Sequence, residues 1–159
     1  MASTFNLKII TPERIVLDTS VSQVTATARD GQLSILPDHE PLVTALGIDA
    51  FKYIENGEER FVSVIGGILE VANVKKGASG SEPKEKPPGN IAVTILSDAA
   101  ELGAEIDEAR ANQAKARAEA EKTQRKDKLD TQLAEMALAK AMARLRAVEM
   151  ARRNRRQTH

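Results

Sequence analysis

Phe51-Lys52-Tyr53-Ile54-Glu55-Asn56-Gly57-Glu58-Glu59-Arg60-Phe61-Val62-Ser63-Val64 decides how the first part of the chain folds. Two runs rich in aromatic and β-branched residues flank an Asn-Gly pair. Both central residues of a tight hairpin turn need positive φ, which Asn and Gly tolerate. The stretch therefore predicts a hairpin with strands at Phe51–Ile54 and Glu59–Val64. Outward from it the grammar stays the same. Phe5-Asn6-Leu7-Lys8-Ile9-Ile10 alternates, with Phe5, Leu7 and Ile9 on one face, until Thr11-Pro12-Glu13 breaks the run. Residues 15–27 are rich in Val, Ile and Thr, as strands prefer. Arg29-Asp30-Gly31 reads as a turn and Gln32–Leu36 as a short strand. Gly67–Val74 and Ile91–Leu96 give two more. Short strands with frequent turns predict an antiparallel sandwich or barrel.

The composition changes near Ser97-Asp98. All 6 Pro and all but one of the 9 Gly precede it, whereas 16 Ala follow it. Residues 1–97 carry 9 basic and 12 acidic groups; residues 98–159 carry 14 and 11. Such a shift marks a boundary between a β domain at 1–97 and a helical domain at 98–159. Within the first lies a low-complexity insertion, residues 75–90, with no apolar residue larger than Ala or Pro. It cannot bury enough surface to offset its ordering entropy and is expected to be flexible. In the second, Glu105–Lys122 and Leu129–Arg153 are dense in strong helix formers, joined by polar Thr123–Lys128. The simplest arrangement is an antiparallel helical hairpin. Its second helix has an apolar stripe, Leu138, Met142, Leu145 and Val148, with Leu129, Leu133 and Met136 leading in. The first offers little beyond Ile106 and a series of Ala. Burying an Ala methyl gains far less than burying Leu. The helices should therefore be intrinsically stable while their packing is weak, so that the pair can separate and pack elsewhere.

Several function classes drop out. The 159 residues balance 23 basic against 23 acidic groups, so a globally basic nucleic-acid binder is not expected. The four aromatic residues all lie in the first 61 positions, which leaves the helical part without a base-stacking platform. No Cys and only two distant His, His39 and His159, argue against disulfides and a metal centre. No apolar run is long enough to span a bilayer, so membrane association is expected through a partner. Asp38-His39 could suggest a base and its orienter, yet no nucleophile motif accompanies them. No phosphate-binding Gly-rich loop of the Walker type is present, and Gly66-Gly67 reads as a bulge or a close approach within a strand. No catalytic residue is assigned.

The ordered landmarks resemble the epsilon subunit family of the bacterial rotary (F-type) ATP synthase. Gly31-Gln32-Leu33-Ser34-Ile35-Leu36-Pro37-Asp38-His39-Glu40-Pro41-Leu42 carries the most distinctive pattern. Gly66-Gly67-Ile68-Leu69-Glu70-Val71-Ala72-Asn73 and Val93-Thr94-Ile95-Leu96-Ser97-Asp98-Ala99-Ala100-Glu101 follow in order, then Glu105-Ile106-Asp107 and the Ala-rich helices. The 75–90 insertion is a departure, since the family usually has a tight turn there.

The resemblance implies an all-β sandwich of about ten strands followed by a C-terminal antiparallel α-helical hairpin. It implies a non-catalytic rotor subunit of a proton-translocating complex, on the cytoplasmic face of the bacterial plasma membrane. Its partners would be the gamma subunit, the c-ring and the alpha/beta catalytic hexamer. Leu36, Pro37, Asp38, His39, Glu40, Pro41 and Leu42 would lie near the rotor interface, with Pro37 and Pro41 stiffening the turn and Leu36 and Leu42 packed. The hairpin would inhibit ATP hydrolysis when extended, with Arg152, Arg153, Arg155 and Arg156 meeting acidic segments of the catalytic subunits. No cofactor is required.

ATP is a possible regulatory ligand. Ile106-Asp107-Glu108-Ala109-Arg110-Ala111 matches a motif that helps some members bind it. The matching set is Glu101, Ile106, Asp107, Arg110, Ala111, Arg117, Lys140 and Arg144. Arg110 and Arg117 share nearly one helical face, and Lys140 and Arg144 are i, i+4 on the partner helix. Their cations could converge on a triphosphate, with Glu101 and Asp107 available to adenine or ribose donors. Lys140 departs from ATP-binding members, which carry Arg there; a point charge replaces a planar fork. The plainer alternative makes Asp107 a helix N-cap and Arg110 a structural ion-pair partner. A stand-alone ATP-sensing module, working outside an ATP synthase, is the rival reading of the whole chain.

Overall fold

The computed structural model describes residues 3–74, 89–124 and 128–157. The expectation of a flexible insertion at 75–90 falls almost wholly outside them. Eight strands come first: β1 (Phe5–Ile10), β2 (Ile15–Val21), β3 (Gln23–Ala28), β4 (Gly31–Ile35), β5 (Leu42–Glu55), β6 (Glu58–Asn73), β7 (Ile91–Leu96) and β8 (Ala100–Leu102). Two helices follow, α1 (Glu108–Gln124) and α2 (Lys128–Gln157). An all-β sandwich followed by a helical hairpin is thus the observed class. Eight strands stand among the described residues where about ten were expected, because β5 and β6 run unbroken for 14 and 16 residues.

The Asn56-Gly57 turn joins these two long strands, with φ of 53° and 81°. Their ribbon pairs in antiparallel register from Leu42↔Val71 to Glu55↔Glu58. Strand order is β2-β1-β7-β6-β5-β3-β4, with β8 on β6. The β1–β7 pair is parallel and the others are antiparallel. One half of the ribbon carries β7, β1 and β2; the other carries β8 on one side and β3 and β4 on the other. Between the halves lies Gly66-Gly67, with φ of 66° and 122°. A Cβ on Gly67 would run into the Leu96 carbonyl, so the bend requires glycine for its backbone conformation and for this close approach. The bend brings the two halves face to face, and β2 touches β5 although they are not neighbours in strand order.

Alternation places the core. Phe5, Leu7 and Ile9, Ile91, Val93 and Ile95, and Leu69 and Val71 all point between the layers and are buried. From Phe61 to Ile65 every residue is buried, because α2 covers the outer face of this segment. Phe61 there meets Ala147, with Ala50 beside them and Ile106 and Ala151 packed at the edge. Among the described residues the sandwich core contains no helix residue, and the docking seam is a separate cluster.

The helical hairpin packs otherwise than the apolar stripe suggests. Ala111 and Ala118 of α1, and Ala134, Ala141, Ala143 and Ala147 of α2, are the buried side chains. Leu129 is 68% exposed, and Leu133, Met136 and Met142 are exposed with it. Pairs of Ala seven residues apart on each helix let the backbones approach closely, and longer side chains are left at the rims. Ala141 lies about 120° round α2 from Ala147, so one face of α2 serves α1 and another serves the sheet. The buried side chains of both helices are Ala, in keeping with the Ala-rich first helix.

Candidate functional site

The chain leaves the sheet at β8, turns through Gly103, and enters α1. The Gly103 N–H donates to the Phe61 carbonyl at 2.8 Å. A Cβ on Gly103 would stand 3.1 Å from the Phe61 carbonyl and 3.2 Å from that of Ala147, so α2 rests almost directly on this turn. Asp107 caps α1: its Oδ1 accepts the Arg110 N–H at 3.1 Å and its carbonyl accepts the Ala111 N–H at 3.0 Å. The residue before the cap, Ile106, inserts into the docking seam and fixes the entry angle.

A cavity of about 300 Å³ opens where this turn meets both helices. Glu101, Ile106, Asp107, Arg110, Ala111 and Arg144 line it, six of the eight residues that sequence reasoning grouped together. Glu105 and Ala114 complete the lining and were not in that group. Glu105 is two residues before the cap, and only the turn after β8 brings it round. Arg117 and Lys140 do not line the cavity. Arg117 is seven residues beyond Arg110 and Lys140 four before Arg144, so both lie about 6–10 Å nearer the hairpin tip. Arg144 Nε and Nη2 donate to Glu101 Oε1 at 2.8 and 2.5 Å, an ion pair between α2 and β8 that is half-buried. Charged donors of this kind are stronger than neutral ones and orient the guanidinium at the cavity wall.

Further polar contacts hold α2 on the sandwich. Arg146 Nη1 lies 2.5 Å from Asp49 Oδ1, and Asn154 Nδ2 donates to the Glu59 carbonyl at 3.1 Å. Of the four tail arginines, Arg152 pairs with Glu108 at the start of α1. Arg153 borders a groove floored by Thr25, Thr27 and Ser34, Arg155 borders the cavity beside Tyr53, and Arg156 is exposed. All four belong to α2, which continues to Gln157.

Residues 36–41 form the loop between β4 and β5, and Leu42 opens β5. The His39 N–H donates to the Leu36 carbonyl at 3.0 Å, closing a turn, and His39 Nδ1 lies 2.7 Å from the Glu40 carbonyl. Asp38 Oδ1 accepts from Asn90 at 3.5 Å. Asp38 and Glu40 are exposed, Pro37 and His39 half-buried, and Pro41 exposed. Leu42 packs on the core, but Leu36 is 54% exposed rather than packed. Alternation explains this: Ile35 points inward, so its neighbour points out.

An apolar row crosses the outer face of the sandwich. Ile15, Ile10, Leu96, Ile68 and Ala45 are consecutive cross-strand partners over five strands, with Val43 beside them on β5. Leu96 and Ile68 are each about half exposed, 51% and 50%. Its signal in the sequence is Ile or Leu at outward positions where alternation calls for polar residues. Among the described residues no group of His, Asp and Glu forms a metal-binding cluster.

Comparison with known proteins agrees with this architecture. Residues 4–75 match the family described as ATP synthase, Delta/Epsilon chain, beta-sandwich domain, and residues 104–149 match its long alpha-helix domain. The chain is 37% identical over 149 residues to the ATP synthase epsilon chain of Desulforamulus reducens, covering 94% of this chain and 100% of that one. It is 42% identical to that of Natranaerobius thermophilus, covering 93% and 94%, and 41% identical to that of Symbiobacterium thermophilum, covering 89% and 91%. A chain in the Euglena gracilis mitochondrial ATP synthase has the same fold, with TM-score 0.69, 20% identity, and coverage of 94% and 81%. A sandwich closed on its own core, a docked pair of Ala-seamed helices and near full-length identity to several bacterial relatives lead to one assignment: the chain belongs to the ATP synthase delta/epsilon family, as an epsilon chain, a non-catalytic subunit of that complex.

Proposed function

We propose that this chain is a rotor subunit in the central stalk of a proton-translocating ATP synthase. It binds the gamma subunit and the c-ring through the sandwich and regulates ATP hydrolysis at the alpha/beta hexamer through the hairpin. One observation carries the division of labour: the sandwich core and the helix-docking seam are separate clusters. A coupling part must stay rigid, while a regulatory part needs two packings a few kcal/mol apart. The apolar row Ile15–Ile10–Leu96–Ile68 suits the gamma subunit, because exposed apolar surface of that continuity favours a protein partner. The Leu36–Leu42 loop suits the c-ring side. No described helix is long and apolar enough to cross a membrane, so attachment to the cytoplasmic face runs through the complex.

The cavity favours a nucleotide as regulator of the docked state. Two guanidinium groups, Arg110 and Arg144, face it beside carboxylates that can accept from ribose or adenine. ATP held there links α1 and α2 to β8 and stabilises docking by mass action. Arg152, Arg153, Arg155 and Arg156 become available to acidic partner surfaces once α2 lifts.

Truncation before Glu105 tests the division of labour. The shortened chain should still assemble with gamma and the c-ring, and ATP hydrolysis by the complex should rise. Loss of assembly would refute it. Calorimetric titration with ATP, with ADP as control and on Arg110→Ala, tests the nucleotide: saturable ATP binding, tighter than ADP and lost in the variant, is expected. Full function without partners would instead favour the stand-alone module.

A further inference from the structure

Glu105 at the mouth of the cavity faces a cation from outside the helical part. Arg14 Nη2 lies 3.5 Å from Glu105 Oε2. Arg14 sits on the β1–β2 turn, 91 positions earlier in the chain. Its backbone is fixed there. The Thr11 N–H and the Thr11 hydroxyl each donate to the Arg14 carbonyl at 3.0 Å, and the Arg14 N–H donates to Thr11 Oγ1 at 3.3 Å. The guanidinium, by contrast, is at the surface: the two side chains are 60% and 54% exposed.

The charges around the cavity make this pair informative. Glu101, Glu105 and Asp107 bring three carboxylates, against two guanidinium groups from Arg110 and Arg144. An entering polyanion would meet a net negative lining. Arg14 brings the balance to zero. The carboxylates are also engaged differently. Glu101 takes two hydrogen bonds from Arg144, and Asp107 is occupied by the α1 cap. Glu105 is held by a long, exposed pair, and such pairs cost little to break.

We propose that Arg14 is a third phosphate-facing arginine of this site, exchanging Glu105 for the phosphate chain when a nucleoside triphosphate binds. The inference rests on the nucleotide reading above. A guanidinium fork suits a phosphate better than a single carboxylate oxygen at 3.5 Å. Contact from Arg14, which stands beside the lining through Glu105 and is not itself a lining residue, makes the ligand bridge the β1–β2 turn, α1 and α2. The sandwich thereby takes part in sensing occupancy.

ATP titration of the full chain, with Arg14→Ala, Arg14→Lys, Glu105→Gln and the Arg14→Ala/Glu105→Gln double variant, tests this. Arg14→Ala should weaken ATP binding about ten-fold, as loss of one charge-assisted contact implies. Glu105→Gln should tighten it, and Arg14→Lys should retain part of the affinity. Arg14→Ala should weaken binding to a similar extent in the Glu105→Gln background. If its effect vanishes there, Arg14 merely neutralises Glu105 and the proposal is overturned. Unchanged affinity in the single variant overturns it too. Absence of ATP binding to the unaltered chain would instead remove the nucleotide reading itself. Thermal midpoints within a degree or two of the unaltered chain check that the variants fold.

Discussion

Ala147→Leu should lift the hairpin and leave the sandwich intact. Ala147 is fully buried against Phe61 and Ala50, and its carbonyl stands 3.2 Å from where a Cβ on Gly103 would be. Leucine adds three carbon atoms at a point with no space to receive them. Overpacking of this kind costs about 1–3 kcal/mol. The docked-to-undocked ratio should therefore fall by a factor of roughly 5 to 150. Cleavage within α2 by trypsin, at low protease concentration, reports the population of the opened form. The cleavage rate should rise by that factor at Arg146 and beyond. Amide exchange in Phe5–Ile9 and Val93–Ile95 should stay as slow as before, because no described helix residue enters their core. Equal loss of protection in those strands would mean one cooperative unit and would refute two separable parts. An unchanged cleavage rate would show that this seam is not what holds α2 down.

Gly67→Ala should destabilise the sandwich by about 2 kcal/mol or more, since it combines positive φ with a Cβ pressed on the Leu96 carbonyl. A lowered urea midpoint with an unchanged slope is the expected signature. Asp107→Ala should cost α1 about 1 kcal/mol by loss of its cap, whereas Asp107→Asn should keep it; helicity by circular dichroism separates the two. The hydrogen bond from Asn6 and the Lys8 ammonium at 2.9 Å hold the Asp18 carboxyl below its usual value of 3.8. A depressed folded value gives stability that is present above about pH 4 and lost as pH falls through the folded value. Asn6→Ala should thus lose less stability between pH 5 and pH 2 than the unaltered chain, read from urea midpoints.

Much of the fold was legible because local signals agreed with one another. Phe5, Leu7 and Ile9 announced their face, and Asn56-Gly57 announced its turn. Ser22, the single residue between β2 and β3, carried no such punctuation, so 15–27 read as one β region. Gly66-Gly67 read as a bulge or a close approach; the register passes through it unshifted, so the close approach to the Leu96 carbonyl is what is found, and its neighbours gave no sign that β6 continues on both sides of it. The helices were legible from propensity, but the buried face of α2 was not. Hydropathy favours Leu129, Leu133 and Met136, while close backbone approach selects Ala134, Ala141 and Ala147. Size complementarity between two helices is a property of the pair and leaves little trace in either sequence alone. At the cavity, the motif brought Arg110 and Arg144 together on the page as in space. Arg14 and Glu105 were invisible, because their meeting depends on how the β1–β2 turn and the β8 exit lie side by side.

The β5–β6 ribbon has a mechanical consequence. Its paired backbones run without interruption of the chain from Leu42 and Val71, next to the β4–β5 loop, to the Asn56-Gly57 turn beside the end of α2. Antiparallel ladder bonds lie perpendicular to the strands. A load applied along the ribbon therefore strains them in shear, together, instead of peeling them one after another. A load placed on the loop end would reach the far layer through a stiff member, and the bend at Gly66-Gly67 is braced by the Ser97 hydroxyl, which donates to the Gly66 carbonyl at 2.8 Å. Force in this molecule has a path of high yield strength through the sandwich, and the helices sit to one side of it.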